Sequence, residues 1–142
     1  MKYASVRVCA ILAAATVALT CVGQPVVVEA QSSRLTANIP FDFYVGRDLL
    51  PAGKYDMRTV AGSVLRVLSE NGERTAAIST IPVWNESGRV SKLVFNRYGQ
   101  TYFLSEVHWR GSSQARGLIK SPVETELARS TRPRVVEAEV GK

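Results

Sequence analysis

Between residues 37 and 109 the chain is interrupted about every ten residues by Gly, Asn or Pro. The segments between these breaks are rich in β-branched and aromatic side chains. No other feature constrains the fold as tightly, because segments this short build strands and hairpins rather than packed helices. Ile39, Phe41, Phe43 and Val45 fall on one side of an extended segment over residues 37–45, with Asn38, Asp42 and Tyr44 on the other. Strand side chains alternate across a sheet, so this spacing predicts one strand with a half-buried apolar face. Gly46 stops it. Leu50-Pro51-Ala52-Gly53 then makes a turn, with proline fixing φ at one corner and glycine free to take positive φ. Residues 54–60 alternate again, setting Tyr55, Met57 and Thr59 against Lys54, Asp56 and Arg58.

Ala61-Gly62 connects tightly into residues 63–68, and Asn71-Gly72 is the strongest hairpin signal in the chain. It predicts a two-residue turn returning into residues 74–81. Pro82 has no amide hydrogen and predicts the end of that strand, or an edge position. Trp84-Asn85-Glu86-Ser87-Gly88 reads as a polar loop carrying one large aromatic. Residues 90–98 and 101–109 form a hairpin about Gly99-Gln100, and it is apolar on both faces. Leu93 and Phe95 oppose Val94 and Tyr98, while Phe103, Val107 and Trp109 oppose Tyr102 and Leu104. Strands of this kind are covered on both sides, which calls for a second layer.

Ser121-Pro122-Val123-Glu124 supplies a candidate cover. The serine oxygen accepts an orphan amide, proline is tolerated in the first turn, and Glu124 can reach back to complete a capping box. The spacing predicts a helix over 122–130 with Val123 and Leu127 on one face. A helix of this length must dock to persist. Six or seven short strands joined by hairpins make an all-β fold: a single antiparallel meander closing as a small barrel or sandwich, with one short C-terminal helix. The expected organisation is a leader over 1–30, an N-terminal linker over 31–36, the β-domain over 37–130, and a flexible tail over 131–142 able to hold a short strand.

The leader is read from its order. Lys2 and Arg7 give a basic start, residues 8–22 are apolar apart from Thr16 and Thr20, and Val28-Glu29-Ala30 ends on a small residue. That is the pattern of a secretory signal peptide cut after Ala30, and its apolar run of fifteen residues is short for a helix crossing about 30 Å of hydrocarbon. Export to the periplasm or the exterior follows. The minority alternative is lipoprotein anchoring through Cys21, although Thr20 and Ala18 stand where such signals favour a smaller residue and Leu. Both cysteines, Cys9 and Cys21, fall within the leader, so the remaining chain offers no disulfide and no thiolate ligand. No cofactor and no metal are expected. Removing Lys2, Arg7 and Glu29 leaves sixteen basic and eleven acidic residues. The arginines are spread evenly from Arg34 to Arg134, which reads as a solvated basic surface. Phospholipid headgroups or acidic polysaccharide are the anionic partners such a surface favours. Nucleic acid calls for clustered base with interleaved aromatics and is not expected.

Five segments carry a resemblance: Phe41-Asp42-Phe43-Tyr44-Val45-Gly46, Leu50-Pro51-Ala52-Gly53-Lys54-Tyr55, Leu93-Val94-Phe95-Asn96-Arg97-Tyr98-Gly99, Tyr102-Phe103-Leu104 and Lys120-Ser121-Pro122-Val123-Glu124. In that order they resemble a family of small exported β-proteins of environmental bacteria to which no function is assigned. The resemblance covers most of residues 41–129. It implies export and a β-fold, and it transfers no catalytic residue, because its motifs are turns and core positions. The Leu-Pro-Ala-Gly-Lys-Tyr piece is also similar to turns in surface-protein β-sandwiches.

Chemistry-bearing residues are few. Nucleophilic catalysis needs Ser, Cys or Thr beside a base, and His108 is the one histidine. Glu106 and His108, two apart on a strand, share a face and can form a carboxylate–imidazole pair, with Ser105 pointing away. No catalytic residue is therefore assigned, and a hydrolase built on that pair is the least supported reading. A metal needs three or four convergent ligands, which one imidazole does not provide. Aromatic binding is the more natural chemistry: Trp84, Tyr44, Tyr102 and Trp109, with Tyr98, are the candidate ligand-binding residues. Trp109, Phe95 and Phe103 read first as core, and Trp84 in its polar loop is the exception. The leading expectation is an exported, non-enzymatic β-domain that binds an envelope protein, a polysaccharide or an apolar small molecule. The alternative is a small lipocalin-like carrier of an apolar ligand.

Overall fold

The computed structural model describes residues 33–86 and 88–140, so the expected leader and Cys21 lie outside the described residues. In chain order the elements are β1 (Arg34–Ile39), β2 (Phe43–Val45), β3 (Asp48–Leu50), β4 (Gly53–Val60), β5 (Val64–Ser69), β6 (Thr75–Trp84), β7 (Lys92–Tyr98), β8 (Thr101–His108), β9 (Gln114–Leu118), α1 (Pro122–Ser130) and β10 (Arg134–Glu139). Strands β1, β4, β5 and β6 pair antiparallel in that order. The sheet continues from β6 through β9, β8 and β2 to β3, with β7 along β8 and β10 along β7. One pairing is parallel, β2 on the start of β8. The fold is all-β with one short helix, and its sheet does not close into a barrel.

Strand β6 joins the two halves. Residues 75–79 pair with β5 and residues 80–84 pair with β9. Thr80 sits at the switch, where its amide and its hydroxyl both donate to the Ser63 carbonyl at 2.7 Å. From one half Leu35, Tyr55, Met57, Leu65 and Val67 turn inward, and from the other Phe43, Leu93, Phe95, Leu104 and Val107 meet them in one core. Phe43 packs edge-on against Tyr55 and Phe95, with centroids 5.2 and 5.7 Å apart. Offset and edge-on contacts of this kind are the favourable ones for aromatic quadrupoles.

Several expectations need correction. The single strand over 37–45 is two strands, because Pro40 interrupts the ladder and Asp42 caps a corner by accepting the Ala52 amide at 2.8 Å. Phe41 leaves the strand pattern and stacks on Tyr102, centroids 3.9 Å apart. The linker over 31–36 contributes Arg34, Leu35 and Thr36 to β1, where the alternation begins earlier than its large residues suggest. At Asn71-Gly72 only Gly72 takes a positive φ, and the connection is a four-residue loop closed by Ser69 N–H to the Arg74 carbonyl. Strand β6 runs through Pro82, which is tolerated because that stretch is hydrogen-bonded to β9 alone. Strand β9 had no counterpart in the sequence reading, since Gln-Ala-Arg-Gly-Leu shows little apolar alternation. The tail over 131–142 holds the short strand it was able to form: Arg134–Glu139 is β10, and Val136 and Ala138 pack against the core.

Helix α1 spans the expected residues but docks differently. Ser121 Oγ accepts the Glu124 amide at 3.1 Å, as an N-cap should. The Glu124 carboxylate does not turn back on Ser121. Instead Oε1 accepts from Asn96 Nδ2 at 2.9 Å and from the Tyr98 hydroxyl at 3.3 Å, and the residue is buried. Val123 is exposed, so the docked face is Glu124 with the half-buried Leu127 and Ala128. Burial pushes the Tyr98 phenol above its usual value near 10, and the neighbouring Glu124 charge and hydrogen bond push the same way. Burial likewise raises Tyr55, with Arg74 opposing and Asp42 assisting. A raised phenol keeps its proton longer in the folded chain than in the unfolded one. Its stabilisation is therefore complete below pH about 10 and declines above it as the unfolded state loses protons first. We expect urea midpoints to fall above pH about 10, with a shallower fall in Tyr98→Phe. Parallel profiles for the two proteins would refute this.

Candidate functional site

The four aromatic candidates do not converge. Register places Tyr44 beside Phe103 and Phe43 beside Tyr102, so the two tyrosines leave opposite faces of the sheet. Tyr44 stacks on Phe103 with centroids 4.9 Å apart. Tyr102 stacks on Phe41, and the Arg97 guanidinium lies 5.3 Å from its ring centre. Both tyrosines are half-buried and their rings are engaged within the protein. Trp109 belongs to the core at 6% exposure, with its indole N–H lacking a hydrogen-bond partner among the described residues. A surface platform made of all four residues is therefore not formed.

Trp84 differs. It is 69% exposed, the highest value among the exposed large apolar residues. It lies at the end of β6 rather than in a loop, paired with Gln114 of β9. Opposite residues of an antiparallel pair share a face, so Trp84 and Gln114 stand with Pro82 and Arg116 on one side of the ribbon. The turn beyond is held firmly: Asn85 is buried, its Nδ2 donates to the Ser112 carbonyl, and its Oδ1 accepts the Gly88 amide. The Asn85 amide also donates to the Ser113 carbonyl. These bonds pin the strand end, so the indole is presented from a fixed backbone. Next to it on the same face are a guanidinium, an amide and a proline ring. That set can stack against an apolar ring face and hydrogen-bond to its rim. The sequence pointed to Trp84 through its polar neighbours, but Arg116 and Gln114 come from β9 and had no signal.

The Glu106–His108 pair forms as expected. Glu106 Oε2 lies 2.8 Å from His108 Nε2, which donates to it, and the imidazole is nearly buried while the carboxylate is one-third exposed. The other ring nitrogen, Nδ1, is buried without a partner. A bulge opposite Val94 and Phe95 interrupts the ladder between Glu106 and Leu104, where Ser105 lies. No hydrogen bond joins Ser105 to the pair among the described residues. The arrangement can orient an imidazole, but it presents no activated nucleophile. Among the described residues no three His, Cys, Asp or Glu side chains gather as metal ligands.

Two surface depressions lie among the described residues. One, of about 490 Å³, lies between the Pro51-Ala52-Gly53 turn and the β5–β6 loop, and is lined by Lys54, Glu70, Glu73 and Arg74. Its charges are in part satisfied internally, with Lys54 Nζ on Glu70 at 2.6 Å. The other, of about 260 Å³, separates β1 from the β7–β10 edge, and is lined by Ala37, Ile39, Leu93, Ala138 and Val140. Comparison of the chain with protein-family models, with curated proteins and with solved structures returns no match.

Proposed function

We propose that this chain is an exported, non-enzymatic β-sandwich that acts as a binding module in the bacterial envelope or outside the cell. Export rests on the leader pattern over residues 1–30, with its basic start, short apolar run and small-residue exit. Among the described residues no helix is long and apolar enough to cross a membrane. The observation that carries the binding reading is Trp84: a large aromatic left 69% exposed on a pinned strand end. Exposing an indole forgoes its burial energy, and aromatic side chains on rigid supports are the usual anchors of binding surfaces. Ligand would stack on the indole, with Arg116 and Gln114 donating to its polar edge.

The carrier reading is weaker because the interior is filled. Phe43, Tyr55 and Phe95 meet in the middle of the core, and the depressions described above lie at the surface. The hydrolase reading is weaker still, since Glu106 and His108 lack a third group in line with them.

The test joins export with Trp84→Ala. Protein secreted by a bacterial host should have a mass beginning at Gln31, and envelope fractions should retain it on a column. Trp84→Ala is expected to lower that retention at least about tenfold. Its unfolding free energy should stay within about 0.5 kcal/mol of the parent. A mass beginning at an acylated Cys21 would replace cleavage after Ala30 with lipoprotein anchoring. Undiminished retention of Trp84→Ala would remove the proposed site, and a small molecule travelling with the exported protein would move the reading to a carrier.

A further inference from the structure

The half of the sheet made by β1, β4, β5 and the start of β6 turns Leu35, Met57, Leu65 and Val67 inward, so alternate residues form an outer face. On that face the register sets Arg34 opposite Arg58 and Arg58 opposite Arg66. Three guanidiniums thus stand in a row perpendicular to the strands, one per strand, on strands about 4.8 Å apart. Like charges directly opposite one another destabilise a sheet, and the protein supplies little to offset them. Among the described residues Asp56 is the carboxylate paired with the row. Its Oδ2 is shared between Arg34 at 2.5 Å and Arg58 at 3.3 Å. Among the described residues Arg58 Nε and Asp56 Oδ1 are buried without partners, while Arg66 is exposed and has no carboxylate partner. Donor capacity and positive charge are left over.

We infer that this arginine row is a binding site for a carboxylate-bearing polysaccharide, lying across the strands and separate from Trp84. Arginine forks pair bidentately with carboxylates, more specifically than lysine does. Successive sugars of a polymer carrying one carboxylate on each turn about its axis, so carboxylates on alternate sugars face the sheet together. Their spacing is close to that of Arg34 and Arg66 on strands two apart, about 10 Å. Around the row Thr36, Asn38, Thr75 and Ser79 are exposed and hydrogen-bonding, as a sugar chain requires, with the half-buried Val60, Val64 and Leu68 between them. The face does not suit a membrane surface. Lipid-binding faces insert several large apolar anchors; this one has Ile81 at its margin, two residues beyond Ser79 on β6, while Leu49, Trp84, Val90, Ile119, Val123 and Val135 lie on other parts of the fold. The site goes beyond the Trp84 reading and stands or falls without it.

The test titrates the protein with de-esterified polygalacturonate by calorimetry, with dextran as the uncharged polymer and anionic phospholipid vesicles as the competing surface. Polygalacturonate should bind and dextran should not, with affinity falling steeply between about 0.05 and 0.5 M salt. Arg34→Gln/Arg66→Gln keeps the Arg58–Asp56 pair and should lower affinity at least about tenfold. Arg89→Gln/Arg132→Gln removes the same charge elsewhere and should lower it less than about twofold. Thermal melts of both variants, with Arg66→Gln alone as the milder substitution, show that a loss is not unfolding. Equal losses in the two double variants would reduce the effect to net charge and overturn the site. So would binding to vesicles without binding to polygalacturonate.

Discussion

Phe95→Ala is expected to destabilise the fold by about 3–5 kcal/mol, the range for removing a large aromatic from a packed interior. Phe95 is wholly buried, and its ring meets Phe41 and Phe43 edge-on at 5.2 and 5.7 Å. Its cross-strand neighbours are Leu104 on one side and Val136 on the other. The surroundings can close on such a cavity only in part, because Phe43, Leu104 and Val136 are held on three different strands, β2, β8 and β10. Domains of this size have only about 5–15 kcal/mol to lose, so the variant should be close to unfolding at room temperature. Phe95→Leu keeps most of the volume and should cost about 1–2 kcal/mol. Urea midpoints measured on the two variants check both figures. A cost below about 1 kcal/mol for Phe95→Ala would mean that the two halves of the sheet do not share a core there.

The parts of the fold that could be read in advance were those set by local pattern. Alternation over residues 54–60 put Tyr55 and Met57 inside, and the Gly99-Gln100 turn joins β7 to β8 as its residues require. The Ser121 cap started the helix where its side chain predicts. What could not be read depends on partners distant in sequence. Pro82 read as a strand end or an edge position, and the edge position is the one found, because β6 exchanges β5 for β9 just before it, which nothing local shows. Arg34, Arg58 and Arg66 look evenly scattered along the chain, and only the register of three strands makes them a row. The candidate site behaved the same way. Trp84 was visible from its polar neighbours, whereas Arg116 and Gln114 reach it through β9, a strand with weak apolar alternation. Trp109 resembled Trp84 as a residue type and proved to be core, because burial is decided by what covers a strand rather than by the strand itself.

The second large effect is expected at Glu124, where a charged side chain does the docking that an apolar helix face would normally do. Removing it in Glu124→Ala leaves the Asn96 amide and the Tyr98 hydroxyl without their acceptor in a buried place. Hydrogen bonds to a charged group contribute about 1.5–3 kcal/mol each. Part of that is offset, because the buried carboxylate no longer has to be desolvated. The net loss should be about 2–3 kcal/mol, with Glu124→Gln, which keeps a carbonyl acceptor, at about half of it. The effect should also be local. A nine-residue helix does not persist alone, and Val123 faces solvent, so α1 has little else to hold it. Limited proteolysis of Glu124→Ala should therefore cut within residues 122–130 before the β-core opens. A double-mutant cycle with Asn96→Ala should return a coupling of about 1–2 kcal/mol. Additive losses would mean that the Asn96 contact contributes nothing, and that α1 is held by the packing of Leu127 and Ala128 instead.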